Sequence, residues 1–371
     1  MRIKSFEFNI RELAGSMGNL GILLPFAIGY IVVCGLDPAG LLIMIGVANI
    51  ITGLVFKLPM PVEPMKVIAV IAIAQEWSPS MVYASGFAMG ITWLLFSAFG
   101  IIRWIEKITP ISVVTGIQAA LGLLLAIKAF DMISGAWVLG LVSVITVLLL
   151  RSNRYAPAAI LLVLLGIVII VVKGDFQQIS APSFALPQFA SFSFNEIWQV
   201  LILAGFAQIP LTITNATIAT SSLVKRFWPE REAGSTKLTL SHGIMNTLLP
   251  LLSSMPLCHG AGGLAGKHYY GARTGGANII EGFAQICMGL FFSVSIVGLF
   301  TLFPMAIVGG MMFLVGVELT RPTWKSKIDI ELIPMITTIL VALITNMALG
   351  FLAGLLVHYL IRFLLQLLPK R

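Results

Sequence analysis

Pro59-Met60-Pro61-Val62-Glu63-Pro64-Met65-Lys66 and Met255-Pro256-Leu257-Cys258-His259-Gly260-Ala261-Gly262-Gly263 break an otherwise apolar chain at corresponding places in its two halves. Prolines 59, 61 and 64 forbid helix through Pro64, because each lacks an N–H and pushes the residue before it out of the helical region. In the second stretch the glycines permit unusual backbone angles and close approach. Each break therefore predicts an extended lead and then a half-helix, starting from about Met65 in the first and about Gly262 in the second. Hydrocarbon offers no water to the unpaired backbone groups of such a break. It is tolerated only where protein or a wet cavity covers it.

Composition fixes what surrounds the breaks. The 371 residues are 58% hydrophobic and 10% charged, with mean hydropathy +1.01. That is too little polar surface for a water-soluble globule of this size, so the chain reads as an integral membrane protein. At about 20 apolar residues per crossing, the predicted spans are 16–33, 39–57, 61–75, 80–103, 108–127, 134–150, 157–172, 195–223, 236–254, 257–271, 277–299, 301–318, 331–346 and 348–367. The third and tenth are the broken ones. The regular alternation of a membrane β-barrel is missing, which leaves an all-α bundle of about 14 segments.

Phe6, Phe8 and Ile10 suit an amphipathic lead-in at the membrane interface, and no cleavage pattern follows the first apolar run. Cys34, Cys258 and Cys287 have no CxxC spacing and support neither a disulfide framework nor a metal site. No cofactor is expected.

A net charge of +8 raises nucleic acid as a partner, but its distribution argues against it. With the N-terminus in the cytoplasm, the spans place every lysine and arginine on one side except Lys66, Lys128 and Lys173. Lys128 and Lys173 fall opposite, and Lys66 lies within the membrane. The positive-inside rule then puts both termini in the cytoplasm. The charge is topological and no nucleic-acid partner is expected.

The two halves look like copies. Adding 197 to Gly46, Asn49 and Pro59 gives Gly243, Asn246 and Pro256, and adding 194 to Pro110, Gly116 and Gly122 gives Pro304, Gly310 and Gly316. Likewise Gly86-Phe87-Ala88 and Gly282-Phe283-Ala284 differ by 196. Residues 1–175 and 195–371 are thus read as two repeats of seven spans. An odd span count inverts the second copy, which is the architecture of many secondary transporters.

In such an architecture each half-helix presents unpaired N–H donors and the positive end of its dipole near the midplane, and two together make an anion site. Lys66 lies one turn into the first half-helix. A charge inside a bilayer costs about 2.5 to 3.5 kcal/mol on insertion scales and marks a functional candidate; the plain alternative is a salt bridge to Glu63 that neutralises both. His259 is either a ligand contact or a core histidine donating to a carbonyl. Lys267 and Arg273 read as cytoplasmic charges, with contact to an inward-facing substrate as the sharper alternative. Asn19, Gln208, Thr212, Thr214 and Asn215 are donors that orient a ligand or join helices. Gly86-xxx-Gly90, Gly262-xxx-Gly266 and Gly350-xxx-Gly354 read as close-packing sites.

Pro61-Val62-Glu63-Pro64-Met65-Lys66-Val67-Ile68-Ala69 resembles the PVQPMKAIAA signature of the molybdate transporter family, relatives of the SulP sulfate permeases. Met255 to Gly266, continuing through Tyr270-Gly271-Ala272-Arg273-Thr274-Gly275, resembles its second signature, MPVCHGAGGLAGQ with FGARSG. Gly18-Asn19-Leu20-Gly21 with Pro25, and Gln208-Ile209-Pro210-Leu211-Thr212 with Asn215, are similar to its first and eighth helices. The resemblance implies the seven-plus-seven fold shared with uracil permeases, in which core spans 1–4 and 8–11 carry substrate past gate spans 5–7 and 12–14. It implies a tetrahedral oxyanion, molybdate first and sulfate or tungstate as analogues.

The substrate would be held by Lys66, Met65, Val67, Asn19, Gln208, Thr212, Asn215, His259 and Gly260, Ala261, Gly262 and Gly263. Glu63 stands where the family has a neutral Gln, and is a candidate for coupling or charge balance; Asn19 stands where the family often has Asp. The resemblance further suggests a homodimer. No STAS domain is expected after Arg371, and the expected location is a bacterial inner (plasma) membrane.

A nucleobase permease of the same fold would need a carboxylate in the middle of span 8 or 10, and neither has one. A passive anion channel stays open as an alternative. Glu281, Glu318 and His358 lie near helix ends without a nucleophile and base beside them, so an enzyme is not expected.

Overall fold

The computed structural model describes residues 2–3, 5–150, 158–231, 233–325 and 329–367. Of the cations used to orient the chain, Lys4, Arg151, Arg154, Lys327, Lys370 and Arg371 lie outside these, as does residue 157, where the seventh predicted span starts. Two short strands, β1 (Arg2–Ile3) and β2 (Phe6–Glu7), pair antiparallel and lead into α1 (Ile10–Val32), which is capped by the Asn9 side chain and interrupted by a 3-10 turn at Met17–Asn19. Next come α2 (Pro38–Phe56), the half-helix α3 (Lys66–Ala74) and α4 (Pro79–Phe99). A short helix, Ile102–Ile108, precedes α5 (Ile111–Ser134), α6 (Trp137–Leu150) and α7 (Ala158–Val172).

After an extended linker, the second half runs α8 (Phe194–Phe227), α9 (Ser235–Leu248), the half-helix α10 (Ala261–Tyr270), α11 (Gly276–Thr301), α12 (Met305–Thr320), α13 (Leu332–Ile344) and α14 (Met347–Leu367). Their starts follow local chemistry: Asp37 and Ser78 cap α2 and α4 with Pro at the first helical position, and Ser193 with Glu196 closes a capping box on α8.

Among the described residues, eight helices are long and apolar enough to cross a membrane. Others are shorter, so length and composition alone account for eight of the fourteen expected crossings. Side chains such as Val138, Leu149, Val172, Phe283 and Leu356 lie exposed on the outside of the bundle. In water such a surface would be untenable; in lipid it costs nothing.

Corresponding helices of the two halves make corresponding contacts. α2 lies along α11, and their repeat mates α9 and α4 lie along each other. At the first crossing a Cβ on Gly46 would stand 2.5 Å from the Gly282 carbonyl oxygen, so only glycine lets the backbones meet. The mates α5 and α12 face each other through Gly122 and Gly316, and each starts at a proline in extended conformation, Pro110 and Pro304. α13 packs on α5 and α14, and α12 on α6. Of the expected close-packing glycines, Gly262 is the exception: the nearest atom to a Cβ there is Ile22 Cδ1 at 3.8 Å.

Candidate functional site

The two breaks meet. Strands β3 (Glu63–Pro64) and β4 (Leu257–Cys258) pair antiparallel, Glu63 opposite Cys258, and Met65 N–H donates to the Pro256 carbonyl at 3.0 Å. Each break is fastened by an asparagine of the helix before it. Asn246 on α9 makes two bonds of 2.7 Å to the backbone of Leu257, acting as a substitute strand. Its repeat mate Asn49 on α2 accepts from Asn278, which in turn donates to the Met60 carbonyl.

From this crossing the half-helices run about 14 and 15 Å, at 1.5 Å per residue, roughly half the hydrocarbon thickness. They begin within a residue of where the prolines and glycines predict: Lys66 after the extended Met65, and Ala261 after the extended Gly260.

Lys66 projects from α3 into a cavity of about 390 Å³ that Asn215, Gly262, Gly21, Gln118 and Glu318 also line. Gln118, Asn215 and Pro322 are shared with a wider cavity of about 570 Å³ that reaches Asp329 and Glu331 at the α13 start. Among the described residues, Lys66 is the only cation lining either. An apolar groove of about 250 Å³ between α2 and α9, edged by Lys237, is separate and faces outward.

Other expected ligands divide sharply. Gln208 Oε1 accepts from Val67 N–H at 2.8 Å and Ile68 N–H at 3.3 Å, and its amide donates to Thr212 at 2.7 Å. Gln208 thus caps α3 from 140 residues away, and the expectation of two free half-helix N-termini is corrected to one. Both residues sit at the turn where α8 widens into π-helix over Thr212–Ala219, a distortion that also turns Asn215 to the cavity. Met65 and Val67 are fully buried and are not among the described residues that line either cavity. Asn19 is buried, with its amide 3.4 Å from the Val62 carbonyl and its Oδ1 unpartnered.

At α10 no side chain caps the N-terminus by a hydrogen bond. Instead the Glu63 carboxylate lies over it. A Cβ on Gly260 or Gly263 would collide with the Glu63 oxygens, so these glycines form a cradle for that group and do not open onto the cavity. Glu63 is completely buried, Lys66 Nζ stands 3.7 Å from its Oε2, and among the described residues neither oxygen has a hydrogen-bond partner.

One further expectation is corrected, that of a cytoplasmic Lys267, and for His259 the geometry favours one of its two readings. His259 has the partners of a core histidine: its Nδ1 lies 2.8 Å from the Pro61 carbonyl, its Nε2 2.8 Å from Ser241 Oγ, and its backbone N–H donates to His242 Nε2. Because Pro61 can only accept, the ring fastens one break to the other. Lys267 is not cytoplasmic but fully buried, donating to Glu281 at 2.6 Å and Asn278 at 3.1 Å. Arg273 sits at the far end of α10, where its guanidinium donates to the His268 and Ala272 carbonyls.

Lys267 belongs to a closed ring that the sequence reading missed. It bonds Asn278, Asn278 bonds Asn49, Asn49 bonds Gln285, and Gln285 returns to Glu281. The polar stripe 278, 281, 285 on one face of α11 was the available signal.

With this geometry known, likeness to other proteins is informative. Residues 11–125 and 200–319 match the family model described as molybdate transporter of MFS superfamily. Molybdate transporter 1 of Arabidopsis thaliana is 29% identical over 94% of this chain and 87% of its own length. Among solved structures, the transmembrane domain of a cyanobacterium bicarbonate transporter, BicA, superposes with TM-score 0.69 at 15% identity, covering 93% of this chain and 97% of that one. Murine Slc26a9, an anion transporter in the inward-facing state, gives 0.70 at 13% identity over 98% of this chain and 69% of that one. The structural likenesses show the fold, and the matched signatures, carrying Lys66 and the crossed breaks through most of both halves, show that this chain belongs to the molybdate transporter family.

Proposed function

We propose that this protein is a secondary active transporter of a tetrahedral oxyanion, molybdate first, with sulfate and tungstate as the nearest analogues. The observation that carries this is Lys66: the sole cation, among the described residues, on a cavity that ends beside the start of α10 at Gly262. A helix start bears roughly half a positive charge, so with Lys66 the cavity's inner end favours an anion. Gly262 offers backbone close to that point, and Asn215 a side-chain amide.

Movement is proposed to be of the elevator kind. The helices that share the crossed breaks, α1–α4 and α8–α11, would carry the anion past α5–α7 and α12–α14. The cavity now reaches the ends of α5, α12 and α13, which on the charge-based topology is the cytoplasmic side, with both termini there. The relatives' names support molybdate as the cargo.

The test is radiolabelled molybdate uptake into proteoliposomes of the purified protein, competed in turn by unlabelled molybdate, tungstate, sulfate and uracil. The three oxyanions are expected to compete and uracil is not. Competition by uracil alone, or non-saturating flux with no trans-acceleration, rejects the proposal.

A further inference from the structure

We propose that Glu63 is a proton-binding site tied to the anion site, so that a proton crosses with each anion. This rests on the oxyanion reading and extends it. Among the described residues Glu63 has no exposure, no hydrogen-bond donor on either oxygen, and one cation in ion-pair range, Lys66 at 3.7 Å. Buried carboxylates are ordinarily hydrogen-bonded; this one has no such partner among the described residues, and its ion pair with Lys66 is a long one at 3.7 Å.

Apart from the start of α10, no other side chain described around it offers compensation. Lys267 is the next cation, and it is committed to Glu281 and Asn278. Cys258, opposite on β4, directs its thiol to the Pro64 carbonyl. His259 has both ring nitrogens occupied, by Pro61 and Ser241. Gln208 offers its donors to Thr212 and its acceptor to α3, away from Glu63.

Lys66 therefore serves two anions: Glu63 behind it and whatever enters the cavity before it. The α10 N-terminus is in the same position, since the Glu63 carboxylate already lies in its glycine cradle. A dianion drawing Lys66 and the α10 donors to itself would leave a bare, buried carboxylate. Protonation of Glu63 removes that conflict. An O–H bond forms on the carboxyl with a proton taken from cavity water on the entry side, and the same bond breaks to return it to water on the exit side. No other bond changes and no oxidant or reductant is needed.

The experiment uses proteoliposomes holding the full chain, a lumenal pH dye and radiolabelled molybdate. In wild type the lumen is expected to acidify in step with uptake, and uptake from sub-saturating molybdate to fall about tenfold per pH unit along the alkaline limb, the slope of one required proton. Glu63→Gln is expected to lose both the acidification and the slope, whatever its rate, and Glu63→Asp to restore the slope. Should Glu63→Gln fail to fold, the wild-type measurement decides alone. Molybdate uptake without acidification, or a Glu63→Gln protein with the wild-type slope and proton flux, overturns the proposal. Absence of molybdate flux in wild type at any pH overturns instead the functional reading on which it stands.

Discussion

Replacing Lys66 by Met keeps the length and volume of the side chain and removes its charge, which isolates the electrostatic link to Glu63. Two unit charges 3.7 Å apart interact by about 4 to 5 kcal/mol at an effective dielectric of about 20, and by about 1 kcal/mol in water. Glu63 is fully buried and the Lys66 side chain only 13% exposed, so the first value is nearer the case. Breaking a buried pair from one side strands the other charge, which typically costs about 3 to 5 kcal/mol.

Lys66→Met is accordingly expected to lower stability by about that much. Glu63→Gln, which leaves a lysine able to reach the cavity, should cost about 1 kcal/mol. The double variant should recover to near the Glu63→Gln value, since no charge is then left unpaired. Unfolding followed by tryptophan fluorescence in detergent measures all four proteins; the chain has 7 tryptophans. A double variant as unstable as Lys66→Met would refute the reasoning, because the damage would then come from lost packing.

Two further substitutions probe the frame around the site. Lys267→Met is expected to destabilise by about 3 to 5 kcal/mol by leaving Glu281 uncompensated in the buried ring, and adding Glu281→Leu should recover most of it; equal unfolding midpoints for single and double variants would contradict this. Gly263→Ala should abolish folding or expel the Glu63 carboxylate, whereas Gly262→Ala, with 3.8 Å to its nearest neighbour, should fold normally and weaken molybdate binding; thermal unfolding and binding on both proteins separate the cases.

The parts of this fold that sequence exposes are those enforced by local chemistry. Pro59, Pro61 and Pro64 could not continue a helix, and Gly260 to Gly263 marked where the second one restarts. The 197-residue offset of Asn49 and Asn246 also carried through: both fasten a break, one directly and one through Asn278. What stayed hidden depends on partners far apart in the chain. Gln208 reads as a substrate donor until its acceptor is seen on α3, and no local pattern announces a cap from 140 residues away.

The sequence places Lys267 at the cytoplasmic end of the tenth span, where lysines ordinarily set topology. The half-helix is followed at once by α11, whose Glu281 and Asn278 draw that lysine inward. His259 was balanced between ligand and core, and Ser241 and Pro61 decide for the core. Glu63 was recognised as a departure from the family's pattern. Its lack of donors, and its place over the start of α10, are visible only in three dimensions.

In the proposed site Lys66 holds the anion at the crossing of the two breaks. Titration calorimetry of molybdate into purified wild type and Lys66→Ala measures it most directly. The expected result is saturable binding to wild type and at least about a tenfold loss of affinity in the variant, the equivalent of roughly 1.4 kcal/mol or more from one charge-assisted contact. Unchanged affinity in a folded Lys66→Ala protein would contradict the claim and remove Lys66 from the site.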